Sequence, residues 1–191
     1  MNSFYITLYY INSFVLYLVL PPLKRETDVM QKLNNTTGCQ DEGDEPERLA
    51  HFLEEEKGYK AADIERRLSI VTRFNDEEVI SKITLLIRID GKATMMLRYA
   101  PGSVVTRERS AIAAARILNP DYQIPLVVVT NGKEAVLLDT YKGRRLAESL
   151  AELPTMKALQ EMSTDLRYEP FDTPKRIDRE RRILNAFDVD L

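Results

Sequence analysis

KITLLIRIDGKATMMLRYA, residues 82–100, is the stretch that decides the fold. It consists of two runs of strand-forming residues, 82–89 and 93–100, that flank Asp90-Gly91. An Asp-Gly pair favours positive φ at both central positions of a two-residue turn, and such a turn joins antiparallel strands because it matches their twist. The stretch therefore predicts a central β-hairpin.

Residues before this hairpin predict one helix and one further strand. Pro46 suits the first turn of a helix, and Gly58 ends that helix after Lys57. Its apolar stripe consists of Leu49, Ala50, Phe52 and Leu53. In residues 67–74, RLSIVTRF, every second residue (68, 70, 72 and 74) falls on one side of an extended chain, and the residues between them (69, 71 and 73) fall on the other. This alternation is typical of a half-buried strand.

Residues after the hairpin complete a mixed α/β unit. Residues 110–118, SAIAAARIL, are strong helix formers, and Asn119-Pro120 ends that helix before the apolar strand 125–130. Asn131-Gly132 then predicts a second hairpin, whose returning strand is 134–140.

Two further helices are predicted near the C-terminus. Pro154 opens a short one, and Thr173 and Pro174 supply the N-cap and first position of the last one. Three apolar residues of the last helix lie near one face, so we expect it to pack on the domain. They are Ile177, Leu184 and Phe187.

The composition supports one domain and excludes some kinds of site. A chain of 191 residues with 44% hydrophobic residues can bury one core. Its net charge of -3 gives no overall attraction for nucleic acid, so any such surface must be local. Cys39 is the only cysteine and His51 the only histidine, which excludes an internal disulfide and disfavours structural zinc.

The N-terminal residues leave three alternatives open. Residues 4–20, FYITLYYINSFVLYLVL, are short for a spanning helix and lack the positive n-region of a signal peptide. In the first interpretation, this segment is a membrane anchor that tethers a cytoplasmic domain to the inner membrane. In the second, the start codon is assigned too far upstream and the protein begins at Met30. In the third, the segment is a buried or disordered extension of a cytoplasmic protein. Lys24 and Arg25 fit the first alternative, because they keep the following domain cytoplasmic.

The predicted domain organisation has three parts. Residues 1–29 are the apolar extension, and residues 30–45 form a mobile linker because they contain almost nothing to bury. Residues 46–191 form the α/β domain.

The order of these elements resembles the N-terminal domain of type I restriction enzyme R subunits, over about residues 46–140. FLEEEKGYKAADIERRLSI, residues 52–70, is similar to the family's opening helix and Gly-Tyr turn. LVVVTNGKEAVLLDT, residues 126–140, is similar to its closing hairpin. The resemblance implies a restriction-endonuclease-like PD-(D/E)xK core, with a mixed central sheet flanked by helices, and the family's Mg²⁺-dependent cleavage of DNA.

The residues that carry the family's chemistry are replaced here. ITLLIRIDGKATMMLRYAPG, residues 83–102, is similar to the segment that holds a metal-binding Asp and then Glu-x-Lys before Ala-Pro. With Ala100-Pro101 in register, Leu97 stands at the glutamate, Tyr99 at the lysine and Thr84 at the aspartate. Carboxylates are needed to hold Mg²⁺ beside the phosphate. The resemblance therefore implies a degenerate site with no catalytic residue and no cofactor, Mg²⁺ being expected only in an active chain.

Local charge indicates where DNA would bind. Residues 82–116 contain seven basic and two acidic residues, a balance of +5 (7 − 2). Arginine suits bidentate contacts with phosphate, and five arginines of this region are our candidates for such contacts. They are Arg88, Arg98, Arg107, Arg109 and Arg116. The alternative for each is a structural role on a strand or a helix face.

Three functions stay open from the sequence. The chain is a DNA-binding module that does not cut, a scaffold that binds another protein subunit, or an Mg²⁺-dependent endonuclease with relocated carboxylates. Asp76, Glu77 and Glu78 would be those carboxylates, although such a run is more often a loop or a helix start. The sequence contains no ATP motor motif, so it does not predict a translocating subunit acting alone.

Overall fold

The computed structural model describes residues 10–11, 14–15, 44–171 and 173–188. Its helices are α1 (Glu45–Lys57), α2 (Val104–Ile117), α3 (Met156–Ser163) and α4 (Pro174–Asp188), with a 3-10 turn at Ala61–Asp63. Its strands are β1 (Tyr10–Ile11), β2 (Phe14–Val15), β3 (Ile64–Phe74), β4 (Glu77–Ile89), β5 (Lys92–Tyr99), β6 (Leu126–Thr130), β7 (Ala135–Asp139) and β8 (Arg145–Ala147). The predicted extension and linker lie almost entirely outside the described residues. Within the described parts of the chain, none of the helices has the length and apolarity needed to cross a bilayer.

The central sheet has six strands in the order β3-β4-β5-β6-β7-β8. β5 and β6 run parallel, with α2 as the crossover between them, and the other neighbours run antiparallel. β1 and β2 pair with each other in a separate two-stranded sheet. The mixed α/β class, with a mixed central sheet between helices, is confirmed.

Apolar side chains pack on both faces of the sheet. On one face, the predicted stripe of α1 meets residues such as Leu85 and Leu97, and Leu159 of α3 joins this core. On the other face, the alanines of α2 (111 and 113–115) and Leu184 of α4 cover β5, β6 and β7. The last helix therefore packs on the domain, as predicted.

Two similar turns shape the first three strands of this sheet. Asp90 and Gly91 have φ values of 50° and 78°, so the predicted turn between β4 and β5 is confirmed. Asn75 and Asp76 have φ values of 50° and 65° and make the same kind of turn between β3 and β4. Of the two alternatives for this segment, the helix start was wrong, and Asn75 and Asp76 form a tight loop because Asn and Asp tolerate the left-handed region. Glu77 is the first residue of strand β4.

Other boundaries differ from the predictions in ways that local chemistry explains. α2 begins at Val104 and not at Ser110, since Arg107 and Glu108 are themselves good helix formers after Ser103 at the N-cap. β8 has three residues, too few for a sequence pattern.

In β3 and β4, the side chains of the two halves of each strand are offset, so that alternate residues switch from one face of the sheet to the other partway along the strand. Ile64 packs in the core under α1, whereas Leu68 and Ile70 pack against the core under α2 and α4. These residues differ by even numbers, so a regular strand would place them on one face. Arg67, with φ 57°, lies at the step in β3. Across the ladder, the step in β4 falls at Thr84, which lies between residues of the two cores.

Candidate functional site

The three positions implied by the resemblance lie together at this step. Thr84 and Tyr99 line one cavity of about 410 Å³, which we call the Thr84 cavity. Leu97, two residues before Tyr99 on β5, has 0% exposure and packs in the core under α1. The complete lining is Glu45, Pro46, Arg67, Leu68, Ser69, Lys82, Ile83, Thr84 and Tyr99.

Backbone contacts fix the geometry of the Thr84 cavity. Leu85 pairs with Leu97 in the β4–β5 ladder, and the Tyr99 backbone N–H donates to Thr84 Oγ1 at 2.7 Å. Gly132 of the Asn-Gly turn lies close to two residues of the lining. A Cβ atom on Gly132 would lie 3.8 Å from the Tyr99 ring and 3.9 Å from the Glu45 carboxylate.

Glu45 is the acidic residue of the cavity that sequence reasoning assigned to the linker. It is the first residue of α1, is 9% exposed, and accepts from Arg48 at 2.8 Å. Burial raises the pKa of Glu45, while the Arg48 charge opposes that rise. The only indication of Glu45 in the sequence was its position next to a predicted helix N-terminus. Acidic residues are favoured there by the helix dipole, so that position alone does not indicate a functional site.

The residues of the cavity do not fit Mg²⁺. This ion prefers six oxygen ligands in a near-ideal octahedron and gives up water reluctantly. The Thr84 hydroxyl is a single neutral oxygen, Leu97 offers none, and the Glu45 carboxylate already pairs with Arg48. Arg67 and Lys82 add positive charge. Across the described residues, no group of three or more His, Cys, Asp or Glu is placed to hold a metal.

The proposed relocated carboxylates lie elsewhere. Asp76 is in the β3–β4 turn, and Glu77 and Glu78 begin β4 opposite Phe74 and Arg73. Thr84 lies seven positions after Glu77 on the same strand, which corresponds to roughly 23 Å. Glu78 instead lines a second cavity of about 590 Å³ between the β3–β4 hairpin and α4.

Four of the five candidate arginines contact α4. Arg98 is buried and donates to Asp188. Arg107 donates to the Phe187 carbonyl at 2.8 Å. The remaining two, Arg109 and Arg116, both pair with Glu180.

The fifth candidate, Arg88, pairs with Glu65 on the neighbouring strand β3. The hydrogen bond from Arg88 to Glu65 raises the pKa of Arg88, and burial opposes this effect. A role for any of the five arginines on DNA stays a prediction. In this structure their observed contacts hold elements of the fold together.

A family comparison agrees with the resemblance that the order of elements indicates. The model of the type I restriction enzyme R protein N terminus matches residues 47–154, a range that includes most of α1, all of α2 and β3–β8, and the lining of the Thr84 cavity except Glu45 and Pro46. No curated protein and no solved structure matches the chain. Because the family match covers more than half of its 191 residues, the chain belongs to the family of type I restriction enzyme R protein N-termini.

Proposed function

We propose that the chain is a nuclease-like module that binds duplex DNA without cleaving it and without a metal ion. The observation that carries the proposal is the composition of the Thr84 cavity: Thr84 and Tyr99 line it and Leu97 is buried next to it, and the resemblance aligns these three residues with two acids and a lysine. We also infer a restriction-endonuclease-like PD-(D/E)xK core. Family membership and the mixed sheet flanked by helices support that inference.

The lost carboxylates change how a phosphate meets the cavity. In a metal-dependent nuclease, the acids repel a DNA phosphate until a divalent ion offsets their charge. The lining here contains the cations Arg67 and Lys82 and the acid Glu45, a formal balance of +1 (2 − 1). Burial raises the pKa of Glu45, and its pair with Arg48 offsets the negative charge of its carboxylate. A phosphate can therefore approach this cavity without an ion.

The two cations are placed to contact a DNA backbone. Lys82 is exposed on β4, and its ladder partner on β3 is Ser69, whose hydroxyl can also donate to phosphate. Arg67 pairs with Glu47 at 2.9 Å, and both side chains are about half exposed. An exposed pair of this kind contributes little, so Arg67 can exchange Glu47 for a phosphate at low cost.

Binding of a labelled DNA duplex across a salt series tests this proposal, with Mg²⁺ in one arm and EDTA in the other. We expect the same Kd in both arms, log K falling with log salt, and an intact duplex. The double variant Arg67→Gln, Lys82→Gln should reduce the salt slope by about 2, since each phosphate contact contributes roughly one unit. Lys142→Gln is the matched control, because Lys142 is exposed beyond the end of β7 that is remote from Gly132.

Two results would overturn the proposal. Undetectable or salt-independent affinity would exclude DNA binding. Mg²⁺-dependent nicking would exclude a non-cleaving module. Loss of that nicking in Glu77→Ala or Glu78→Ala would assign the activity to the relocated carboxylates.

A protein-interaction scaffold is the second candidate function. One observation favours it: Arg98, Arg107, Arg109 and Arg116 contact α4 instead of forming an open basic surface. If so, the purified chain should show no DNA affinity and should co-elute at fixed stoichiometry with a partner subunit after nuclease treatment. DNA affinity that depends on Lys82 would exclude this alternative.

A further inference from the structure

Three arginines meet near one carboxylate where α2 and α4 pack together. The Glu180 carboxylate lies 2.7 Å from Arg109 Nη2 and 3.1 Å from Arg116 Nη1. Arg176, one turn before Glu180 on α4, lies over the Phe171 ring at 4.3 Å, and Arg116 lies 5.7 Å from the same ring. We call Arg109, Arg116 and Arg176 the arginine cluster.

The arginine cluster carries more positive charge than its contacts offset. The guanidinium groups of Arg109 and Arg116 share the one carboxylate of Glu180, and Arg176 adds a third positive charge, so these four residues have a formal balance of +2 (3 − 1). Burial lowers the pKa of Arg116, Glu180 opposes this effect, and the charges of Arg109 and Arg176 lower the pKa further. Like charges held this close require a counter-charge to be stable.

The cluster also contains polar atoms that lack hydrogen bonds. Arg109 Nη1 and Arg116 Nε are buried without a partner among the described residues. Glu180 Oε2 approaches Arg109 Nη2 without hydrogen-bond geometry. The Thr140 hydroxyl lacks a partner too, in a residue with 0% exposure whose carbonyl accepts from Arg116 at 3.0 Å. A buried polar atom of this kind is destabilising unless a ligand or water satisfies it.

We propose that the arginine cluster binds a phosphate group. A phosphate dianion offsets the excess charge and offers acceptors that match the planar donor pattern of guanidinium. It has access from solvent, because the Arg109 side chain is 38% exposed and Arg176 is exposed at the start of α4. The cluster shares no residue with the lining of the Thr84 cavity, so this site does not depend on the proposed function.

Thermal unfolding of the full chain with inorganic phosphate tests the site, against sodium chloride at equal ionic strength. We expect phosphate to raise the Tm in a saturable way, as a ligand of the folded state does. Arg176→Gln should weaken the apparent Kd for phosphate about tenfold, since it removes one charge-assisted contact. Arg179→Gln removes the same charge from an exposed position of the same helix and should keep the wild-type response.

No phosphate effect beyond that of chloride would overturn the site, and so would equal responses of wild type and Arg176→Gln. Arg109→Gln serves as a second variant if Arg176→Gln does not fold by circular dichroism. Competition between inorganic phosphate and a short oligonucleotide identifies the source of the phosphate group. A short oligonucleotide that displaces inorganic phosphate from wild type indicates a nucleic-acid phosphate, and one that does not indicates free phosphate.

Discussion

Arg98 of β5 and Asp188 of α4 form an ion pair in which the side chains are 5% and 1% exposed. Ser81 of β4 donates to the second oxygen of the same carboxylate at 2.6 Å. Arg98 also donates to Ser110 of α2. One carboxylate near the end of the described chain therefore joins two central strands to the C-terminal helix.

Asp188→Asn should lower the free energy of unfolding by about 3–5 kcal/mol, because it leaves the Arg98 guanidinium buried without a counter-ion. Urea denaturation measures this loss. Asp178→Asn is the matched control, since Asp178 pairs with Arg181 at the surface of the same helix. We expect that change to cost less than about 1 kcal/mol. Equal losses in the two variants would contradict a special role for Asp188.

Glu45→Gln should stabilise the protein at neutral pH. Burial raises the pKa of Glu45 above its unfolded value, so the ionised form is disfavoured in the folded state. The stability that this group contributes is present below the unfolded pKa and is lost as pH rises through the folded pKa. Glutamine resembles the protonated acid, so the gain over wild type should vanish as pH falls through the same range. Urea denaturation at a series of pH values measures it.

Glu47→Gln is the control with the opposite sign. The hydrogen bond from Arg67 lowers the pKa of Glu47. The stability that the Glu47 carboxylate contributes is therefore present above its unfolded pKa and is lost as pH falls through its folded pKa. This variant should therefore be less stable than wild type at neutral pH. A loss in Glu45→Gln at neutral pH would show that the pair with Arg48 outweighs the burial of the acid.

Thr84→Asp, Leu97→Glu and Tyr99→Lys together should create a metal site. The two new carboxylates would lie on adjacent strands, the one at position 84 in the same cavity lining as Glu45. Leu97 is fully buried, so a glutamate there costs stability unless an ion is bound. In EDTA, the triple variant should have a lower Tm than wild type. Manganese should raise the Tm of the variant and leave wild type unchanged.

The variant Thr84→Asn, Leu97→Gln, Tyr99→Lys tests whether charge is responsible, because it keeps the shape of the new side chains without their carboxylates. It should not respond to manganese. A manganese response of wild type equal to that of the triple variant would contradict our assignment of the site.

Local signals made much of the fold predictable. Gly58 ends α1 with φ 72°, Asp90-Gly91 closes the β4–β5 hairpin, and Pro174 starts α4, each through the conformational preference of one or two residues. The Asn75-Asp76 turn was missed because its residues tolerate the left-handed region without requiring it.

The partners of the arginines could not be predicted in this way. Arg98 and Asp188 are separated by 90 positions in the sequence, and Arg116 and Glu180 by 64. The packing of α4 on the sheet brings the first pair together, and its packing on α2 brings the second pair together. Counting charge within residues 82–116 overstated the local excess, because acids that pair with these arginines lie outside that range: Glu65 in β3, and Glu180 and Asp188 in the C-terminal helix.

Thr84→Val should destabilise the protein by about 1–3 kcal/mol, although the two side chains have nearly the same shape. Thr84 Oγ1 accepts from the Tyr99 backbone N–H at 2.7 Å, and valine would leave that buried donor without a partner. Urea denaturation gives the loss, and hydrogen exchange of the Tyr99 amide should become faster than in wild type. Thr164→Val is the matched control, since the Thr164 hydroxyl donates to Glu161 at an exposed position. An unchanged exchange rate at Tyr99 would show that this hydroxyl does not hold the end of β5 in place.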